Sequence, residues 1–300
     1  MTNLAGTTIG FIGLGLMGKP MARNLMQAGA KLVITNRSQG VIEELAREGM
    51  TPAASPRAAA EASDVVICML SDTPALEQVL MGKDGVFNAA SLQGKLVVDM
   101  GTSKLLVTRM LAAKAQELGA DYVDAPVSGG TLGAEAGNLT IMAGGMDDAF
   151  ARALPILQVL GGKITHVGPT GAGQVAKAAN QVIVGLNIGA VAEALSLAQA
   201  AGVDPGKVRE ALGGGFADSR ILEVHGLRMV EGKFTPGARC PIQRKDMDQA
   251  MELAEHLGIE LPATALSRDL YDRVIAAGDG DLDHAGLIRA IRPDWPVNET

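Results

Sequence analysis

Cysteine is nearly absent from this 300-residue chain. The two present, Cys68 and Cys240, show no C-x-x-C spacing, and Cys68 lies in the apolar run "DVVICML". That excludes a disulfide framework and fits a reducing compartment, so a cytoplasmic location is expected. The four histidines, His166, His225, His256 and His284, are scattered without H-x-x-x-H spacing. No metal centre is expected, and any redox chemistry has to run without zinc. Positive charge is also short: the formal net charge is −7 with no basic stripe, which argues against a nucleic-acid partner. Long uninterrupted apolar runs are missing. The nearest approach, Val175–Ala201, is broken by Lys177, Asn180, Asn187 and Glu193, and no charged leader precedes an apolar core. Neither a membrane span nor a secretory signal is expected. What remains, 47% hydrophobic residues with 38 glycines and few aromatics, is the composition of a soluble α/β protein long enough for two domains.

Up to about residue 165, strand-like and helical segments alternate. Strands are expected at Thr8–Ile12, Lys31–Thr35, Asp64–Leu70, Lys95–Met100, Asp121–Val127, Thr140–Ala143 and Ile164–Val167. Helices are expected at Met17–Ala28, Val41–Glu48, Arg57–Ala62, Leu76–Met81, Lys104–Leu118 and Asp147–Leu160. Such alternation implies βαβ units and a mainly parallel sheet. From Gly171 onward the strand signals stop. "QVAKAANQVIVGLNIGAVAEALSLAQAAG" reads as one helix of roughly 45 Å, and Asp204-Pro205 opens the next with a capping residue and a proline at its first position. Further helices are expected at about Ser219–Glu231, Gln243–Leu257, Ala263–Ala276 and Asp283–Ile291, while Pro293 and Pro296 mark residues 293–300 as a tail.

Gly13-Leu14-Gly15-Leu16-Met17-Gly18 fits G-x-G-x-x-G between a strand and a helix. In that context the first glycine permits the tight turn, the second lets a pyrophosphate approach the backbone, and the third lets helix and strand pack closely. The helix start offers N–H groups and a partial positive charge to the anion. The fold class expected is therefore an α/β Rossmann-type domain at residues 1–165, then an all-α domain at 166–292 that begins with the long linking helix. The second strand ends "VITNRSQ". An NAD site places an acidic residue there for the ribose 2′-hydroxyl. Asn36 is neutral, Arg37 can pair with a 2′-phosphate and Ser38 can donate to it, so NADP(H) is expected over NAD(H). Leu70 and Ser71, after the strand at 64–70, and Thr102, after the strand at 95–100, sit at carboxyl ends where open α/β sheets collect ligands.

Hydride transfer needs a group that exchanges a proton with the substrate oxygen. Lys177 is the candidate. It stands in a charge-poor segment within about two turns of a helix start, whose dipole disfavours the ammonium. Asn180, three residues on, shares its face. The plain alternative for a lone helix lysine is a surface charge. "DAPVSGG", Asp124–Gly130, offers the Ser128 hydroxyl and the Gly129 and Gly130 amides to a carboxylate, and Lys245-Asp246 forms an adjacent charge pair at a helix start.

Together, "GFIGLGLMGKPMARNL", "DAPVSGGTLGAEAGNLTIMAGG", "GAGQVAKAANQ" and "RKDM" resemble the β-hydroxyacid dehydrogenases, from about Thr8 to Ile291. That family includes 3-hydroxyisobutyrate dehydrogenase, tartronate semialdehyde reductase and the glyoxylate/succinic semialdehyde reductases. The resemblance implies a nucleotide loop at Gly13, Gly15 and Gly18, and a threonine near the nicotinamide ribose at Thr102. It implies substrate binding at Ser128, Gly129 and Gly130, the catalytic lysine at Lys177 with Asn180 orienting the substrate, and a cofactor-side lysine at Lys245. It also implies a homodimer or homotetramer. Imine reductases of similar shape usually lack the lysine, and phosphogluconate dehydrogenases carry a histidine where Ala179 stands. Two departures are visible. Asn36-Arg37 replaces the aspartate common in the NAD-preferring branch, and Arg244 precedes Lys245, where it could meet a second substrate carboxylate or face solvent.

The expectation is an NAD(P)-dependent enzyme, NADP-preferring, that interconverts a small 3-hydroxy acid and its semialdehyde or ketone without a metal, with a small carboxylate as substrate. Phe216, Asp218, Arg220 and Gln243 are candidate pocket residues. Two alternatives stand beside it: a β-hydroxy amino acid dehydrogenase acting on serine or threonine, and a non-catalytic NADP-sensing protein.

Overall fold

A computed structural model describes residues 3–298. They form two compact units that divide between Lys177 and Ala178.

The first unit carries β1 (Thr8–Ile12), α1 (Gly18–Gln27), β2 (Lys31–Thr35), α2 (Gln39–Arg47), the two-residue β3 (Thr51–Pro52) and α3 (Pro56–Glu61). It continues with β4 (Val65–Cys68), α4 (Thr73–Met81), β5 (Leu96–Asp99), α5 (Leu105–Glu117), β6 (Asp121–Asp124) and β7 (Val127–Ser128). It closes with α6 (Gly130–Glu135), β8 (Leu139–Gly144), α7 (Asp147–Leu160), β9 (Gly161–Gly168) and the first turn of α8 (Ala172–Ala200). The sheet order is β3-β2-β1-β4-β5-β6-β8-β7, with β9 on β8. From β3 to β6 all pairings are parallel, the order of a doubly wound dinucleotide fold whose switch point lies between β1 and β4.

The strands are apolar on both faces, as a sheet covered on two sides requires. Ile9, Phe11, Ile34, Ile67 and Val98 enter one core, with Met21, Leu25 and Leu157 from the helices. Ile12, Val66, Cys68 and Val97 enter the other, with Leu76, Leu80 and Leu111. The period of two along each strand explains the split: neighbours such as Val66 and Ile67 point to opposite faces. The strand expected over Asp121–Val127 is two strands. β6 ends at Asp124, and β7 pairs antiparallel with β8, Val127 opposite Ile141. Pro126 lies at the break, where it has no N–H to give a ladder. α6 was not foreseen, because "GGTLGAEAG" carries loop-type glycines.

The second unit holds the rest of α8, then α9 (Pro205–Leu212), α10 (Arg220–Glu231), α11 (Cys240–His256), α12 (Pro262–Ala276) and a 3-10 helix at His284–Ala290. Asp204 caps α9 through Gly206 N at 2.7 Å, and Ser219 caps α10 through Leu222 N at 3.0 Å. α8 is long and apolar enough to cross a membrane by length and composition. Its Ile188, Val191, Ala192 and Leu195, spaced three and four apart, pack into the helical core with Leu222, Met229, Met247 and Tyr271. Residues 293–298 are not a loose tail. Trp295 is buried in that core, and its Nε1–H donates to Met229 O at 2.7 Å. Residues 299–300 of the expected tail lie outside the described residues.

Candidate active site

In the first unit the glycine motif forms the turn from β1 into α1. Gly13 has φ +96°, and a Cβ there would strike the Met69 carbonyl. A Cβ on Gly18 would strike the Gly13 carbonyl, whereas one on Gly15 would meet nothing within 4 Å. Two glycines are thus demanded by packing, and the middle one faces open space, as the close approach of a pyrophosphate needs. Met17, at the start of α1, provides no side-chain cap, and no acidic residue occupies the first turn. The residues present fit a dinucleotide.

At the end of β2, Asn36 does more than avoid repelling a phosphate. Its Oδ1 accepts from Leu14 N at 3.1 Å, tying the glycine loop to β2. Arg37 and Ser38 are exposed, and Arg37 forms no ion pair among the described residues. Leu70, after β4, lies against Gly13. Ser71 Oγ donates to Asp72 at 2.7 Å, and Asp72 caps α4 through Ala75 N. Thr102 is half-buried after β5. All of these stand at carboxyl ends of parallel strands.

Ser128 ends β7, half-buried, and Gly129 and Gly130 follow with φ of +135° and +60°. A Cβ on Gly130 would meet nothing within 4 Å. Lys177 is not a surface charge: it is 7% exposed, and its Nζ donates to Val127 O at 2.9 Å, the carbonyl just before Ser128. Within this unit the structure therefore brings the candidate proton carrier onto the candidate carboxylate-binding loop.

Sequence reasoning missed what seats that lysine. Asp99 closes β5 and Asp124 closes β6, and both are fully buried. Asp124 Oδ1 accepts from Gly171 N at 2.7 Å and Oδ2 from Gln174 N at 2.9 Å. Asp99 Oδ2 accepts from Ser103 Oγ at 2.8 Å, and Gln174 Oε1 accepts from Ser103 N at 2.9 Å. Burial pushes the Asp124 carboxyl up to about 6, against the lowering effect of the Gly171 and Gln174 amides. The available signal was an acidic residue closing an otherwise apolar strand, in "LVVD" and again in "DYVD".

The remaining candidates belong to the second unit. Asn180 Nδ2 donates to Gln181 Oε1 at 2.7 Å, and Gln181 Nε2 donates to Asp246 Oδ2 at 2.6 Å and to Gln243 Oε1 at 3.1 Å. Lys245 Nζ lies 2.8 Å from Asp246 Oδ1. Asn180 and Lys245, both half-buried, thus share one network through the buried Gln181, Gln243 and Asp246. Gln243 is a member of it, not a free pocket residue. Phe216 is fully exposed, Asp218 accepts from Gly214 N, and Arg220 pairs with Glu223. Arg244 is partly exposed and pairs with Asp248 and Asp272. His225, Asp283 and His284 converge although they are far apart in sequence. Arg228 pairs with Asp283 there, and the Gly237, Ala238 and Ala285 amides donate to the same carboxylate, so the cluster is an ion-pair node already holding its cation.

Residues 8–168 match the NAD binding domain of 6-phosphogluconate dehydrogenase, and residues 171–291 match the NAD-binding domain of NADP-dependent 3-hydroxyisobutyrate dehydrogenase. The chain is 47% identical over 283 residues to 2-hydroxy-3-oxopropionate reductase of Escherichia coli (strain K12), spanning 94% of this chain and 96% of that one. Among solved structures, 3-hydroxyisobutyrate dehydrogenase from Salmonella typhimurium superposes with a TM-score of 0.86 at 29% identity, over 94% of this chain and 99% of that one. The Mycobacterium tuberculosis 3-hydroxyisobutyrate dehydrogenase structure with L-serine gives 0.85 at 31% identity, over 95% and 99%.

Proposed function

The chain belongs to the β-hydroxyacid dehydrogenase family and is an NAD(P)-dependent hydroxyacid dehydrogenase, and from that premise we propose that it prefers NADP(H) and reduces 2-hydroxy-3-oxopropionate with Lys177 as proton donor. The observation that carries the reading is the burial of Lys177 with its Nζ on Val127 O, beside Ser128. A lysine spends burial on a task or a partner, and this one is held at the loop proposed to take the substrate carboxylate. The 47% identity to a 2-hydroxy-3-oxopropionate reductase supports the substrate. Exposed Arg37, with no acid closing β2, supports the 2′-phosphate.

In this reading Ser128 and the Gly129 and Gly130 amides hold the substrate carboxylate. Asn180 orients the reacting oxygen. Lys177 gives it a proton in reduction and removes one in oxidation. The nicotinamide, when bound, supplies or accepts the hydride. Lys245 is assigned to the cofactor by the family resemblance alone. The enzyme works as a homodimer or homotetramer in the cytoplasm, a compartment in which the two free buried cysteines stay reduced.

Lys177→Ala should lower kcat by roughly 10²–10⁴-fold, the weight of a general acid–base group, with NADPH binding retained by fluorescence titration. Near-normal turnover in that variant would end the proton-transfer role. A second reading, a β-hydroxy amino acid dehydrogenase, draws on the relative's structure with L-serine. It predicts NADP⁺ reduction with serine and silence on the semialdehyde.

A further inference from the structure

Lys177 stands one turn into α8, and one carboxylate seats the start of that helix. Asp124 receives Gly171 N and Gln174 N on separate oxygens, at 2.7 and 2.9 Å. The fit leaves no slack. A Cβ on Gly144 would stand 2.7 Å from Asp124 Oδ1, and one on Gly173 would stand 2.8 Å from Oδ2. The same segment continues through Pro126 to Val127, whose carbonyl holds Lys177 Nζ. Asp124 therefore fixes both ends of one small frame: the helix turn that carries the lysine and the loop that carries Ser128.

We propose that Asp124 is a positioning residue of the reaction, which in its ionised form locks the first turn of α8 against the β6–β7 loop and so holds Lys177 beside Ser128. The proposal rests on Lys177 being the proton carrier. An ionised carboxylate accepts on both oxygens. A protonated one turns an O–H toward an N–H and must release one amide. Protonation should thus loosen the turn and misplace the lysine.

The surroundings set where this happens. Tyr122 on β6, which also feels Asp99 on β5 and Cys68 on β4, stands by Asp124, as do Lys177 on α8, held by Val127 O, and Arg109 on α5, whose side chain packs near Gly171. Burial pushes both the Tyr122 phenol and the Cys68 thiol up, so they remain neutral. No cation pairs with Asp124 among the described residues. Burial thus leaves the carboxyl titrating at about 6, and its protonation falls within a working pH range.

The test compares the wild type, Asp124→Asn and Lys177→Ala in kcat, KM and pH profile. Asn imitates the protonated form at every pH. The wild type should show an acid limb in kcat/KM near the Asp124 value. Asp124→Asn should lose that limb and lower kcat by roughly 10- to 100-fold, as misplacement of a reacting group does, with little change in the Kd for NADPH. A retained limb with wild-type kcat would overturn the proposal. Lys177→Ala separates the premises: if it stays active, the lysine's role fails. If it is dead while Asp124→Asn keeps its limb, only Asp124's role fails. Should Asp124→Asn not fold, a titration of ¹³C-carboxyl-labelled aspartates in the wild type decides. One aspartate titrating together with the acid limb supports the proposal, and no aspartate titrating there sinks it.

Discussion

Among the described residues, Asp124 and Asp283 are fully buried against the start of a helix, and they have opposite characters. Asp124 takes the first amides of α8. Asp283 takes Ala285 N at 3.1 Å at the start of the 3-10 helix, and Gly237 N at 2.9 Å besides. What separates them is countercharge. Arg228 pairs with Asp283, and His225 Nδ1 stands 3.4 Å from it. Burial pushes Asp283 up, but His225, His284 and Arg228 outweigh it and hold the carboxyl well below the usual range. Asp124 has amides alone, and burial wins. A buried carboxylate with cations is a fixed brace. One with only amides remains able to take a proton, and it is the one placed next to the proposed chemistry.

The comparison can be broken most severely by removing the cation. Arg228→Met should leave Asp283 with His225 and His284 alone as counter-groups, with an unfolding loss of about 3–5 kcal/mol at neutral pH, the usual result of breaking a buried ion pair. Part of that loss should return on acidification, once the carboxyl protonates. Chemical denaturation at two pH values checks it, and a loss that stays the same at both would mean Arg228 acts by packing alone.

Asp124→Asn sharpens the comparison from the other side. A raised folded-state value means that the group's contribution is fully present below the unfolded value and is lost as pH rises through about 6. With the folded carboxyl raised from its ordinary value to about 6, the wild type should lose on the order of 3 kcal/mol between acid and neutral pH through this group, and the variant should not. Asp283 has the opposite sign: its contribution is present above the unfolded value and is lost only in strong acid. Stability curves for wild type and Asp124→Asn that run parallel across that range would contradict the assignment.

How legible all this was in the sequence depends on the range of the interaction concerned. β1, β2 and α7 have the bounds that local apolar pattern predicts, because each buries its own stripe or face. The glycine turn was legible from its spacing between a strand and a helix; of its two collisions, Gly18 against the Gly13 carbonyl is local, whereas Gly13 answers to the Met69 carbonyl on the neighbouring strand's end. Lys177 was legible as a lysine out of place in an apolar helix. Asp124 was not. An acid at a strand end reads as the start of a solvated turn, and its partners, Gly171 and Gln174, lie 47 and 50 residues away. The Asp283 node and the anchoring of Trp295 were hidden for the same reason: His225, Arg228 and Met229 reach them from α10, across more than one intervening helix. Of Arg244's two partners, Asp248 lies one turn on and was legible, whereas Asp272 lies 28 residues on, on α12.

The most direct test of the account is a set of initial rates with NADPH and NADH in parallel on 2-hydroxy-3-oxopropionate, succinic semialdehyde and glyoxylate. Turnover on 2-hydroxy-3-oxopropionate is expected, with a clear NADPH preference that Arg37→Ala diminishes. Faster turnover with NADH, or silence on all three with either cofactor, would contradict it.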